Sequence, residues 1–228
     1  MAAHDLVIFD CDGVLVDSEV IAARVESTLL TDAGYPIEPE DIAERFAGMT
    51  FKNILLTIER ESGLALSASL LDKSERMVDE KLAREVRMIT GADLAVAGVA
   101  VPRCICSNSS LERIEMMLAR TTLKPQFASH IYSSITLDLT PKPAPDIFLA
   151  AAKAFDASPA RTVVIEDSVA GVTGARAAGM RVIGFTGAGH ITAGHGDRLM
   201  EAGAETVIAH HRDLGAVLEA FAQWAPID

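Results

Sequence analysis

Six short apolar runs, separated by stretches with helical spacing, constrain this chain more than any other feature. Leu6–Phe9, Arg103–Cys106, His130–Ser133, Thr162–Ile165, Arg181–Phe185 and Glu205–Ala209 read as strands. Several are apolar without interruption, the pattern of strands covered on both faces. Between them, Ser110–Leu118 places Leu111, Ile114 and Leu118 on one helical face, and Asp146–Phe155 and Val169–Ala178 follow. The tail Asp213–Trp224 turns Leu214, Val217, Leu218 and Phe221 inward as a last helix. This alternation implies an α/β fold with a doubly wound, mostly parallel, Rossmann-like sheet.

One region breaks the alternation. From about Glu19 to Ile89 only helical stripes occur: Ile21, Val25 and Leu29; then Phe51, Ile54, Leu55 and Ile58; then Leu70, Met77, Leu82, Val86 and Ile89. The expected organisation is a core of residues 1–17 and 91–228 with a helical cap, residues 18–90, inserted after the first strand. Its place directly behind the first polar motif makes it a lid.

Composition excludes several classes of function. The chain has 228 residues, half of them hydrophobic, enough for a sizeable core and too apolar for disorder. A formal charge of −12 argues against a nucleic-acid backbone as partner, since that needs clustered Lys and Arg. No apolar run is long enough to span a membrane, and Met1–Asp5 lacks the layout of a secretory signal. Cys11, Cys104 and Cys106 read as reduced, buried thiols of a cytoplasmic protein that is a monomer or small homo-oligomer.

In an open parallel sheet, ligands collect at the carboxyl ends of the strands. The first strand ends in Asp10-Cys11-Asp12-Gly13, the second in Ser107-Asn108-Ser109 and the fourth in Glu166-Asp167-Ser168. Lys142 precedes a helix whose start is marked by Pro143 and Pro145. Singly, each cluster reads as a turn, a helix cap or a solvated charge; together, at one sheet edge, they form a site. The residue types suit phosphoryl transfer. Asp10 is a carboxylate nucleophile, and Asp12 can protonate a leaving group and later deprotonate water. Carboxylates facing a phosphate need a divalent cation, and Mg2+ fits oxygen donors. Asp10 and Asp167 would supply side-chain oxygens and Asp12 its backbone carbonyl, with Glu166 nearby. Ser107 and Lys142 would hold the phosphoryl oxygens, with Gly13 and Asn108 completing the phosphate-binding set.

These motifs, with Asp10 through Glu19 and Lys142-Pro143-Ala144-Pro145-Asp146, resemble the haloacid dehalogenase superfamily. The likeness is to its branch with a helical cap, which contains β-phosphoglucomutase and sugar-phosphate phosphatases. It implies Asp10 as nucleophile, Asp12 as acid/base, Ser107 and Lys142 on the phosphate, and Asp10, Asp12 and Asp167 around Mg2+ with Glu166 assisting. The dehalogenases lack the second aspartate, so Asp12 argues for phosphate chemistry. Mutase-like members carry a hinge histidine where this chain has Ala22, and a Gly-x-Ser-Arg loop where it has Gly48-Met49-Thr50-Phe51. Both departures favour a phosphatase acting on a small phosphorylated metabolite, a sugar phosphate, over the alternative phosphomutase. Lys52 and Arg76 are cap candidates for an anionic substrate. The glycine-rich stretch Gly184–Gly196 reads as a mobile surface loop with His190 and His195 in solvent, and His210-His211 as a strand end without partners.

Overall fold

The structure is a computed structural model describing residues 4–46, 49–127 and 129–224. Strand β1 (Leu6–Phe9) is followed by four helices, α1 (Glu19–Asp32), α2 (Pro39–Arg45), α3 (Phe51–Ser62) and α4 (Ser69–Glu85). Helix α5 (Ala92–Gly98) leads into β2 (Arg103–Ser107), α6 (Leu111–Leu118), α7 (Lys124–Phe127) and β3 (Ile131–Ser133). Then come α8 (Asp146–Ala154), β4 (Thr162–Glu166), α9 (Val169–Ala177) and β5 (Arg181–Phe185). The chain closes with α10 (His195–Ala202), β6 (Thr206–Ile208) and α11 (Leu214–Gln223).

The six strands form one sheet in the order β3-β2-β1-β4-β5-β6, and every pairing is parallel. Strand residues alternate between two apolar layers. Val7, Phe9, Ile105, Val163, Ile165 and Ile183 pack with α5, α6, α7 and α11 on one face. Leu6, Ile8, Cys104, Cys106, Val164 and Val182 pack with α8, α9 and α10 on the other. Both faces are dry, which is why the strands are apolar throughout. All three cysteines are buried and unbridged, and Cys104 and Cys106 lie in the second layer as packing residues.

Strand order reverses between β1 and β4, so the crevice at the switch point opens at their carboxyl ends. Phe9 pairs with both Ile105 and Ile165, and therefore Asp10, Cys106 and Glu166, the next residues along, lie at one level. This register delivers motifs from distant parts of the chain to a common edge.

The inserted helices have a core of their own, built from Leu30, Ile37, Ile42, Phe46, Ile54, Leu55 and Ile58. Ile21, Val25 and Leu29 of α1 instead meet Val78 and Leu82 of α4 in the larger apolar cluster. The expected stripe from Leu70 to Ile89 is shorter as a helix. It stops at Glu85, and the following residues are extended, with Asp17 N–H donating to Arg87 O at 3.0 Å and Ile89 N–H to Leu15 O at 3.0 Å. Val16 and Met88 form an antiparallel bridge there, so the two chain crossings into the insert are paired. Gly48, part of the loop compared with mutases, lies outside the described residues.

Candidate active site

The Lys142 ammonium is the hub of the site. Its Nζ donates to Asp10 Oδ1 at 2.5 Å, Glu166 Oε1 at 2.6 Å and the Cys106 carbonyl at 2.8 Å. All three protons of the ammonium are thereby used. Only 5% of the lysine side chain and 10% of Asp10 meet solvent, and Glu166 is sealed, so these charges interact at low effective dielectric. Burial alone would lower the lysine's pKa, but the Asp10 and Glu166 carboxylates override it and hold the value raised. Burial pushes Asp10 well above the usual carboxylate range; Lys142 pulls it back, while Glu166, Asp167 and Asp12 push it up again. Asp167 is raised by burial and then by Glu166. Burial first and then mutual repulsion raise the carboxyls, and their combined negative charge raises the lysine.

One oxygen each from Asp10, Glu166 and Asp167 lies within 4.8 Å of the other two. Three buried hard oxygen donors, with a single ammonium to offset them, fit a hard divalent cation in charge and donor type. The approach of Asp167 depends on Gly13, whose φ is +73° and whose missing side chain would overlap Asp167 Oδ2. Gly171 does the same for the carboxyl of Glu166.

Asp12 stands apart from that donor cluster. Its Oδ1 accepts from Ser18 Oγ at 2.7 Å, and its Oδ2 from Ser107 Oγ at 3.2 Å and Ser109 Oγ at 2.9 Å. Sequence reading placed Ser107 and Asn108 on a phosphate; here both are engaged within the protein. Asn108 Oδ1 accepts from the Lys142 N–H at 3.0 Å and from Ser134 Oγ at 3.1 Å, which fixes the lysine's backbone. The capping of α6 falls to Ser110, whose Oγ accepts from Arg113 N–H, and this frees Ser107 and Ser109 for Asp12. Ser168 caps α9 through Gly171 N–H while its hydroxyl and N–H both donate to Glu166 Oε2.

The histidines require a correction. His190 and His195 were expected in solvent, yet His190 Nε2 lies 3.3 Å from Asp167 Oδ2 and His195 Nε2 lies 2.5 Å from the Asp167 carbonyl. His211, expected without a partner, is buried, bonds Val14 O at 2.7 Å and stacks on Phe185; His210 is exposed. The segment after β5 folds back across the strand ends, where Gly189 N–H donates to Asp17 Oδ1 at 3.1 Å. Such tertiary partners leave no periodic trace in sequence.

Glu19 was also missed. The residue is exposed at the start of α1, yet desolvation, then Asp12, push its pKa up to about 7. Lys52 and Arg76 are exposed on α3 and α4, and Arg76 Nε bonds Asp72 O of its own helix. Among the described residues no helix is long and apolar enough to cross a membrane.

Known proteins resemble this chain in sequence and fold. Residues 4–179 match the family model described as haloacid dehalogenase-like hydrolase. A 6-phosphogluconate phosphatase of Escherichia coli (strain K12) is 30% identical over 189 residues, 81% of this chain and 84% of that protein. A conserved haloacid dehalogenase-like protein from Agrobacterium tumefaciens str. C58 has a TM-score of 0.93 and 61% identity, over 96% of this chain and 99% of that one. A HAD family hydrolase from Deinococcus radiodurans R1, solved with bound phosphate and sodium, has a TM-score of 0.84 and 32% identity over 100% of both chains. On a match spanning most of its length, the chain belongs to the haloacid dehalogenase-like hydrolase family.

Proposed function

We propose that this protein is a Mg2+-dependent phosphatase that hydrolyses a small phosphorylated metabolite, a sugar phosphate, through an aspartyl-phosphate intermediate. The observation that carries the reading is the hub: one buried ammonium fixes Asp10 and Glu166, and Asp167 completes a three-carboxylate cluster. Asp10, Glu166 and Asp167 would hold the cation, with the Asp12 carbonyl beside them. When bound, the cation supplies the positive charge that lets a phosphate dianion approach several carboxylates.

No hydrogen bond from a described residue falls on Asp10 Oδ2, so that oxygen is the nucleophile. It forms a bond to phosphorus as the bond to the leaving oxygen breaks, and Asp12 gives that oxygen its proton. Water then attacks phosphorus, Asp12 takes the water's proton, and inorganic phosphate leaves a regenerated Asp10. The hydroxyls of Ser18, Ser107 and Ser109 can turn from donors to acceptors as the proton on Asp12 comes and goes. Lys142 orients Asp10 and offsets charge on the transferring group. Residues 18–90 act as the lid, hinging on the paired segments at Asp17 and Arg87. The relative named for 6-phosphogluconate supports the substrate class.

The test is phosphate release from a panel of sugar phosphates with Mg2+ or with chelator, using Asp10→Asn as the blank. Release that needs the metal and Asp10 is expected. Isomerisation of a hexose 1-phosphate without net release would identify a mutase instead, and no reaction across the panel would refute the proposal.

A further inference from the structure

We propose that His190 is a positioning residue that holds the Asp167 carboxylate in the orientation a divalent cation requires. The inference rests on the cation reading above and concerns a residue outside the expected catalytic set. No side chain among the described residues makes a closer hydrogen-bond or ion-pair contact with that carboxylate than His190, whose Nε2 lies 3.3 Å from Oδ2 at ion-pair distance. Toward an ionised Asp167, which only accepts, Nε2 would carry the proton. His190 Nδ1 is buried with no partner, and Nε2 is the ring nitrogen that faces Asp167.

The surroundings are shaped for the contact. A side chain at Gly13 would overlap Asp167 Oδ2, and its first carbon would lie 3.0 Å from His190 Cε1, so glycine admits the ring and the carboxylate together. The ring's loop is tied down at Asp17, which accepts from Gly189 N–H, and Asp17 is also the hinge residue bonded to Arg87 O. From below, His195 grips the same aspartate by its backbone. Arg198 donates to His195 Nδ1 at 3.0 Å, which leaves Nε2–H to donate to the Asp167 carbonyl. Two histidines of one segment therefore secure Asp167 at both ends of the residue. Neighbours that orient metal-binding carboxylates set cation affinity, and removing one costs about 10–100-fold.

The experiment is calorimetric titration of the metal-free protein with Mg2+ alone and with Mn2+ alone, for the parent, His190→Ala and His190→Gln. Circular dichroism and melting in chelator establish that each variant is folded. His190→Ala should bind both cations at least about tenfold more weakly than the parent. His190→Gln, which keeps an N–H donor at similar reach, should recover most of the loss. Parent-like affinity in folded His190→Ala overturns the proposal, as does a folded His190→Gln no better than alanine. A parent that binds neither cation overturns the metal reading beneath it, and the parent titration reveals that separately.

Discussion

Replacing Lys142 by methionine tests the hub directly. Methionine keeps the length and apolar stem but removes three charge-assisted hydrogen bonds and leaves Asp10 facing Glu166 in a nearly dry site. Breaking a buried ion pair by deleting one partner costs about 3–5 kcal/mol. For a chain of this size about 2–4 °C of melting temperature is lost per kcal/mol, so a drop of roughly 6–20 °C is expected at pH 8 in chelator. Lys142 is raised above its ordinary 10.5, so its stabilisation is fully present below that value and is lost only as pH climbs through the folded one. Between pH 5 and 8 the lysine is constant and the carboxylates change. Asp10 is raised well above 3.8, so acid neutralises it before an ordinary carboxylate, and the methionine penalty shrinks from pH 8 to pH 5. Turnover with Mg2+ should fall about 10²–10³-fold, as when a fixed donor is removed from a charge-developing site. A melting loss below about 2 °C at pH 8, or a larger loss at pH 5, would refute the hub as the electrostatic organiser.

Three further outcomes follow from the same geometry. Gly171→Ala drives a methyl into the Glu166 carboxyl, and steady-state assays should show at least about tenfold lower kcat with a lowered Tm, whereas Gly98→Ala, which meets nothing within 4 Å, leaves kcat unchanged. Ser109→Ala removes one of three hydroxyls from Asp12 and should lower kcat about 3–10-fold with KM unchanged, since charged hydrogen bonds in a network partly compensate. Burial, then Glu19, pushes the Glu26 carboxyl up to about 8 from an ordinary 4.5. The folded state therefore keeps a proton that the unfolded chain sheds, and stability declines as pH rises from 4.5 to about 8. Glu26→Gln abolishes this slope: it should melt higher than the parent at pH 8.5 and equally at pH 4.5, and an equal offset at both would count against the assignment.

Particular residues show why some of this was legible in sequence. Val7, Phe9, Leu6 and Ile8 announce a strand covered on both faces, because a crossover-connected parallel sheet buries both. The stripe Ile21, Val25 and Leu29 announces α1 for the same reason of periodicity. Val86 and Ile89 misled because they are buried in the extended segment paired near Val16 rather than on a helix, and burial alone does not distinguish the two. Asp10, Glu166 and Asp167 could be gathered in advance because the carboxyl ends of strands at a switch point must converge.

The chain order of apolar runs and polar strand ends thus determined the sheet, the crevice and the carboxylates in it, since these depend on local periodicity and on the chirality of crossovers. Only the tertiary structure decided which donor meets which acceptor. Lys142 satisfies Asp10, Glu166 and Cys106 O, serines 18, 107 and 109 surround Asp12, His195 bonds the Asp167 carbonyl and His190 lies 3.3 Å from its carboxylate. Those pairings were chosen by loops folding back across the sheet edge, where angstrom-scale distances, absent from any sequence pattern, set which polar groups are paired as water is excluded.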